Sequence, residues 1–204
     1  HNRGKWNGNK IKRKSWGYFM NLGFKTAHGK YICMLSDDCL VIPGAIINGY
    51  NLFEEKLKKN ERVGAIAFFY RDWPDQIKYH VQTYWGVINV NHGLYLKKAL
   101  ESVNYVDEDT YHFYSGDIDL VFKLLSNNYS SIFSDNSFIE HYTHTNSKIR
   151  KNNIQYGYDD FTHFIKKWGS THQQIKLENS LDQIKQIEFS FNDEQKTIQL
   201  WEKI

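Results

Sequence analysis

The chain has 204 residues, of which 41% are hydrophobic and 16% aromatic, enough for one sizeable core and too apolar for a wholly disordered chain. No apolar run approaches the ~20 residues that cross a bilayer and the first residues do not read as a secretory signal, so a soluble, cytoplasmic protein is expected. Cys33 and Cys39 are the only cysteines, and their spacing matches no paired-cysteine zinc pattern, which predicts free thiols in a reducing compartment.

The net charge of +3 hides an asymmetry: residues 1–36 contain no Asp or Glu but carry Arg3, Lys5, Lys10, Lys12, Arg13, Lys14, Lys25 and Lys30. Such a run reads first as a solvated face. Its other readings are diphosphate recognition and peripheral contact with anionic lipid at the inner face of a membrane. Nucleic acid is the least favoured partner, because no recognised binding motif accompanies the charge.

Residues 15–28 read as a helix ended by Gly29, a residue suited to a left-handed cap. Residues 31–35 are a continuous apolar run, the pattern of a buried strand, with Cys33 as a small hydrophobe inside it. After Pro43-Gly44, the positions Ile46, Ile47, Tyr50, Phe53 and Leu57 recur at three and four, which predicts an amphipathic helix turning that face to the sheet. Residues 63–70 read as the next strand, 71–76 as a Pro-containing loop, and 83–95 as two short strands or one bent one. Leu120, Val121, Leu124 and Leu125 predict a helix that Asn127-Asn128 ends, before strands at 130–133 and 137–140. Phe161, Phe164, Ile165 and Trp168 predict another helix, and Leu177, Leu181 and Ile184 a weaker one beyond it. This alternation is that of an α/β protein.

The chemistry concentrates at Ser36-Asp37-Asp38, which the strand delivers to its own carboxyl end, where open α/β sheets bind ligands. Adjacent carboxylates repel unless a cation or donors compensate them, and oxygen ligands suit a hard ion such as Mg²⁺ or Mn²⁺. The plain alternative is a solvated Asp-Asp turn.

From Asn21 the chain reads NLGFKTAHGKYICMLSDDCLVIPGAI, which resembles the centre of the family-2 glycosyltransferases, with their Asn-x-Gly, Ala-x-Gly, strand, Asp-containing triplet and Pro-Gly. Further along, Tyr105-Val106-Asp107-Glu108 resembles the family's Phe-Asp-Glu. Gly116-Asp117-Ile118-Asp119-Leu120 resembles its Glu-Asp-x-Asp-Leu, Ile139-Glu140-His141 its late histidine, and Lys166-Lys167-Trp168-Gly169 a common ending. The ordered match covers roughly residues 15–169. It implies the A-type glycosyltransferase fold, a mixed, mainly parallel sheet flanked by helices, with the first strands of the nucleotide-binding part missing. Residues 1–170 would then be the catalytic domain and 171–204 a helical tail.

The resemblance also implies roles. Asp38, with Asp37 and His141, would hold Mn²⁺ or Mg²⁺, and His144 lies three residues beyond. Ser36, standing where the family's first acid is, would join Asn21 and Lys25 on the donor side. Asp117 would be the base of a single-displacement, inverting transfer. Trp85, Asn91, His92, Gly93 and Gly116, the last in place of the family's Glu, would face the acceptor. The substrates would be a nucleotide-diphosphate sugar and a glycan or lipid-linked acceptor, in assembly of a surface polysaccharide. Other readings are that Asp117 or Asp119 simply caps its helix, that the domain binds a nucleotide sugar or glycan without turnover, or that it is a basic interaction module.

Overall fold

The computed structural model describes residues 5–10, 12, 14–172, 175–176, 178 and 180–189, apart from some individual side chains. A small hairpin, β1 (Lys5–Trp6) and β2 (Asn9–Lys10), precedes α1 (Trp16–Thr26). Ser15 caps α1 by accepting from the Tyr18 N–H at 3.1 Å. The helix ends at an extended Ala27 and not at Gly29, which takes no left-handed conformation.

Next come β3 (Tyr31–Met34), β4 (Cys39–Val41), α2 (Ala45–Lys58), β5 (Val63–Asp72), β6 (His80–Tyr84), β7 (Val87–Ile88), β8 (Gly93–Leu96) and α3 (Lys97–Ser102). The chain continues through α4 (Gly116–Ser126), β9 (Ser130–His141), α5 (Ser147–Asn153), α6 (Gly157–Gly169), α7 (Ser180–Gln183) and β10 (Ile184–Glu188). The region expected as two strands or one is thus three. Trp85 and Gly86, both at positive φ, make the tight turn between β6 and β7. The strands expected at 130–133 and 137–140 are one strand, β9, with an irregularity where Phe68 and Phe69 face Ser134 and Phe138.

The protein is α/β, with a mixed sheet flanked by helices. The sheet is not mainly parallel: β5 with β9 is a parallel pairing, whereas β3 with β8, β8 with β5, β5 with β6, β6 with β10 and β4 with β9 are antiparallel. The physical reason is that β8 runs back between β3 and β5, which themselves point the same way.

Strand order also explains the curl. β3 lies outside β8, and β4 lies on the opposite flank beyond β9. Four strand spacings in a flat sheet are ~19 Å, whereas the extended chain from Met34 to Cys39 reaches at most ~17 Å. The link through Asp37-Asp38 therefore crosses the end of a sheet that bends toward it.

Helix α2 covers the sheet with a face other than the expected one. Ala45, Gly49 and Phe53 are buried, while Ile46, Ile47 and Tyr50 are exposed. A Cβ at Gly49 would lie 2.5 Å from the Phe68 ring, so the small residue sets how closely the helix approaches. The exposed positions line an apolar depression of about 770 Å³ with Tyr31, Cys33 and Val41. Cys33 is exposed rather than buried, because it projects from the opposite face of β3 to buried Ile32 and Met34, into this open depression.

At the other end, α6 forms as expected, with Phe164 and Trp168 buried. The segment beyond it is not simply a helical tail. Ile184 opens β10, which extends the sheet against β6, after the single-turn α7. Leu177 and the side chain of Leu181 lie outside the described residues. Among the described residues no helix is long and apolar enough to cross a membrane.

Candidate functional site

Three chain segments converge where β3 and β9 finish. The Asp38 carbonyl accepts from the Tyr142 N–H at 2.8 Å, which ties the acidic turn to the end of β9. In the ladder that follows, Cys39 lies directly opposite His141. The first turn of α4 brings Asp117 to the same place. Trp16 and Met20 of α1, together with Phe113 and Tyr114, wall a cleft of about 480 Å³. Asp160 of α6 holds that wall by accepting from the backbone N–H groups of His112, Phe113 and Tyr114 at 2.8–2.9 Å.

Asp38 is nearly enclosed, at 6% side-chain exposure, and it is compensated. Its Oδ2 accepts from Arg150 Nη2 at 2.9 Å, and its Oδ1 is 3.2 Å from His141 Nε2. His141 Nδ1 is 2.7 Å from Asp72 Oδ1. A carboxylate only accepts, so Nδ1 donates to Asp72, while Nε2 stands between the Arg150 Nη2 donor at 3.1 Å and the Asp38 carboxylate. Asp37 is exposed at the rim, so the two acids of the turn do not share an environment.

Asp117 accepts from Asn89 Nδ2 at 2.9 Å. Loss of water at the cleft floor raises its pKa, and the bonds from Asn89 and the adjacent backbone N–H groups offset this only in part. Asn89 also bonds Asn91, whose amide donates to the Tyr70 hydroxyl at 3.3 Å. His92 is 2% exposed, and burial, reinforced by neighbouring His141, pushes its pKa down to about 3, so it is a neutral imidazole. Cys39 sits 3.7 Å from His92 Nδ1, and burial pushes its thiol up to about 12.

Ser36, Asp37, Asp38, Asn91, His92, Asp117 and His141 all line this cleft. Other candidates do not. Asn21 is buried and pins α1 to the loop before α4: its amide donates to the Val106 carbonyl at 2.9 Å and to Glu108 at 2.7 Å, and accepts from the Val106 N–H. Lys25 lies over the Tyr105 ring, and Lys25 and Asn21 border a separate depression. Trp85 caps the β6–β7 turn and stacks on Phe161 of α6. Gly93 and Gly116 are packing positions, where a Cβ would lie 2.0 Å from the Ile66 carbonyl and 3.2 Å from the Trp16 ring. The side chain of His144 lies outside the described residues. Asp119 is no cap: it is fully buried, bonded to Tyr111, Lys167 and Trp168.

Asn89, Asp72 and Arg150 were not among the sequence candidates. None of them carries a sequence signature of its own, and only its partner across the fold gives it meaning. Comparison with protein-family models and with curated proteins finds no match to this chain.

Proposed function

We propose that the chain is an inverting glycosyltransferase of the family-2 kind, on the A-type fold, moving a sugar from a nucleotide-diphosphate donor to a glycan or lipid-linked hydroxyl. The observation that carries this reading is a single cleft with a compensated carboxylate and an oriented histidine, Asp38 and His141, together with a desolvated carboxylate, Asp117. The Arg150 guanidinium paired with Asp38 supports the reading, because that carboxylate already receives a cation. Asp38 and His141 would hold Mn²⁺ or Mg²⁺, which supplies electrostatic stabilisation of a leaving diphosphate.

The rest of the chemistry falls to the chain. The acceptor oxygen attacks the anomeric carbon, the bond to the diphosphate oxygen breaks, and the acceptor proton passes to Asp117. Its raised pKa suits a base better than an ordinary carboxylate does, and Asn89 holds the oxygen that must receive the proton. Arg150, once released from Asp38, offers a planar fork to phosphate oxygens. Asp72 fixes the His141 ring. Such an enzyme would work at the cytoplasmic face of a membrane in surface polysaccharide assembly.

Calorimetric titration of nucleoside diphosphates in the presence of Mn²⁺ tests the reading. Binding that needs Mn²⁺ and disappears in Asp38→Asn is expected. Equal Mn²⁺-dependent affinity in that variant would overturn the assignment of Asp38.

A further inference from the structure

We propose that Cys39, His92 and His141, with Asp38 as the fourth ligand, form a binding site for a thiophilic divalent transition ion of the Zn²⁺ class. This rests on the same cleft as the reading above but replaces its ion, since a Zn²⁺-class ion and Mn²⁺ or Mg²⁺ would compete for Asp38 and His141, and it stands on ligand geometry without requiring transferase activity.

The ligands come from three places that the sheet brings together. Cys39 opens β4 and His141 ends β9, and the two are register partners, so their side chains share one face of the ladder. His92, just before β8, reaches them from below, its ring 5.0 Å from that of His141. One atom from each of the three residues falls within 4.8 Å of the others.

The distances fit a tetrahedral ion. Bonds of ~2.3 Å to sulfur and ~2.0 Å to nitrogen place the two ligand atoms about 3.5 Å apart. Cys39 Sγ and His92 Nδ1 are 3.7 Å apart. A nitrogen and a carboxylate oxygen on the same ion should be about 3.3 Å apart. His141 Nε2 and Asp38 Oδ1 are 3.2 Å apart. Asp38 lies outside the group whose ligand atoms fall within 4.8 Å of one another, so its carboxylate would have to swing toward the other three to complete the tetrahedron.

The donor chemistry narrows the ion. A thiolate with two imidazoles favours Zn²⁺ or Co²⁺ over Mg²⁺, Ca²⁺ and Mn²⁺, which prefer oxygen. Asp72 completes the arrangement as a partner to a ligating histidine: by holding the proton on His141 Nδ1 it leaves Nε2 bare for the ion. Arg150 Nη2 at present lies 3.1 Å from that Nε2 and also holds Asp38. Ion and guanidinium compete for the same two ligands, so entry of the ion would free Arg150 to act in the cleft.

Co²⁺ titration of the full chain, without nucleotide, reads this directly. A thiolate-to-Co²⁺ charge-transfer band with tetrahedral visible bands is expected, displaced by equimolar Zn²⁺ and untouched by excess Mg²⁺. Cys39→Ser should lose the charge-transfer band and Cys33→Ser should keep it, with folding of both checked by circular dichroism. Arg150→Gln should bind Co²⁺ more tightly, and Asp72→Asn should bind it roughly 10–100-fold more weakly. The proposal is overturned if the folded wild type gives no thiolate band, or if the band survives in Cys39→Ser and vanishes in Cys33→Ser. Failure of nucleoside diphosphates to bind, with these bands present, would remove the transferase reading and leave the ion site standing.

Discussion

Asp117 and Asp119 stand two residues apart on the first turn of α4, and the fold gives them opposite surroundings. At ~100° per residue they point ~200° apart around the helix, so one faces the cleft and the other the core. Asp117 has the Asn89 amide and the adjacent backbone N–H groups as partners, and desolvation raises its pKa. Asp119, wholly buried, has the Tyr111 hydroxyl at 3.1 Å, the Trp168 indole at 2.8 Å and the Lys167 ammonium at 2.8 Å. The difference teaches what buried charge is for. A fully partnered carboxylate locks α4 to α6, whereas an incompletely compensated one is held in a state ready to take a proton.

The comparison breaks most visibly in turnover. If Asp117 is the base, Asp117→Asn lowers the sugar-transfer rate by roughly two to four orders of magnitude while its urea-unfolding midpoint stays at or above that of the parent. Unchanged turnover would make the two aspartates alike and remove the contrast. Next in size, Asp119→Ala strands the Trp168 N–H in the core, and equilibrium denaturation should show a loss of about 3–5 kcal/mol. Turnover per folded molecule should be kept; a variant that is stable but inactive would move Asp119 into the chemistry.

A gentler probe removes one bond of that network. Trp168→Phe keeps most of the ring packing against Phe122 and forfeits the indole donor, for which about 1–1.5 kcal/mol is expected by chemical denaturation. A loss several times larger would mean that packing, and not the Asp119 bond, joins α6 to α4.

The smallest effect is in the pH dependence of stability. Because the folded pKa of Asp117 lies above its usual 3.8, the unfolded chain ionises first as pH rises, and the folded state loses stability between the unfolded and folded pKa values. Asp117→Asn lacks that loss, so its stability relative to the parent should be higher at neutral pH and the gain should fade below pH 3.8. A gain that persists unchanged in acid would show that burial of Asp117 carries no such penalty.

Much of this arrangement was legible locally. The apolar run ending in Ser36-Asp37-Asp38 placed the acidic turn correctly, and residues as distant as Asp38, Asp117 and His141 do meet in one cleft. Asn21 and Lys25 do not join them, since a helix presents its residues on several sides and spacing does not say which side meets the sheet end. The same ambiguity misassigned α2. Its apolar arc is wider than the strip that contacts the sheet, so Ile46, Ile47 and Tyr50 looked like core and are exposed. Gly49, apolar only by lacking a side chain, is where the helix touches.

The amino-acid pattern alone determined the alternation of helices and strands and the delivery of two acids to a strand end, because burial periodicity and turn chemistry act within a few residues. Tertiary structure alone decided that β8 runs antiparallel between β3 and β5, that Asp117 and Asp119 part company, and that Cys39 finds His92 and His141. Those outcomes depend on strand order and on the bend that a short link imposes on the sheet, and such long-range geometry leaves no periodic trace along the chain.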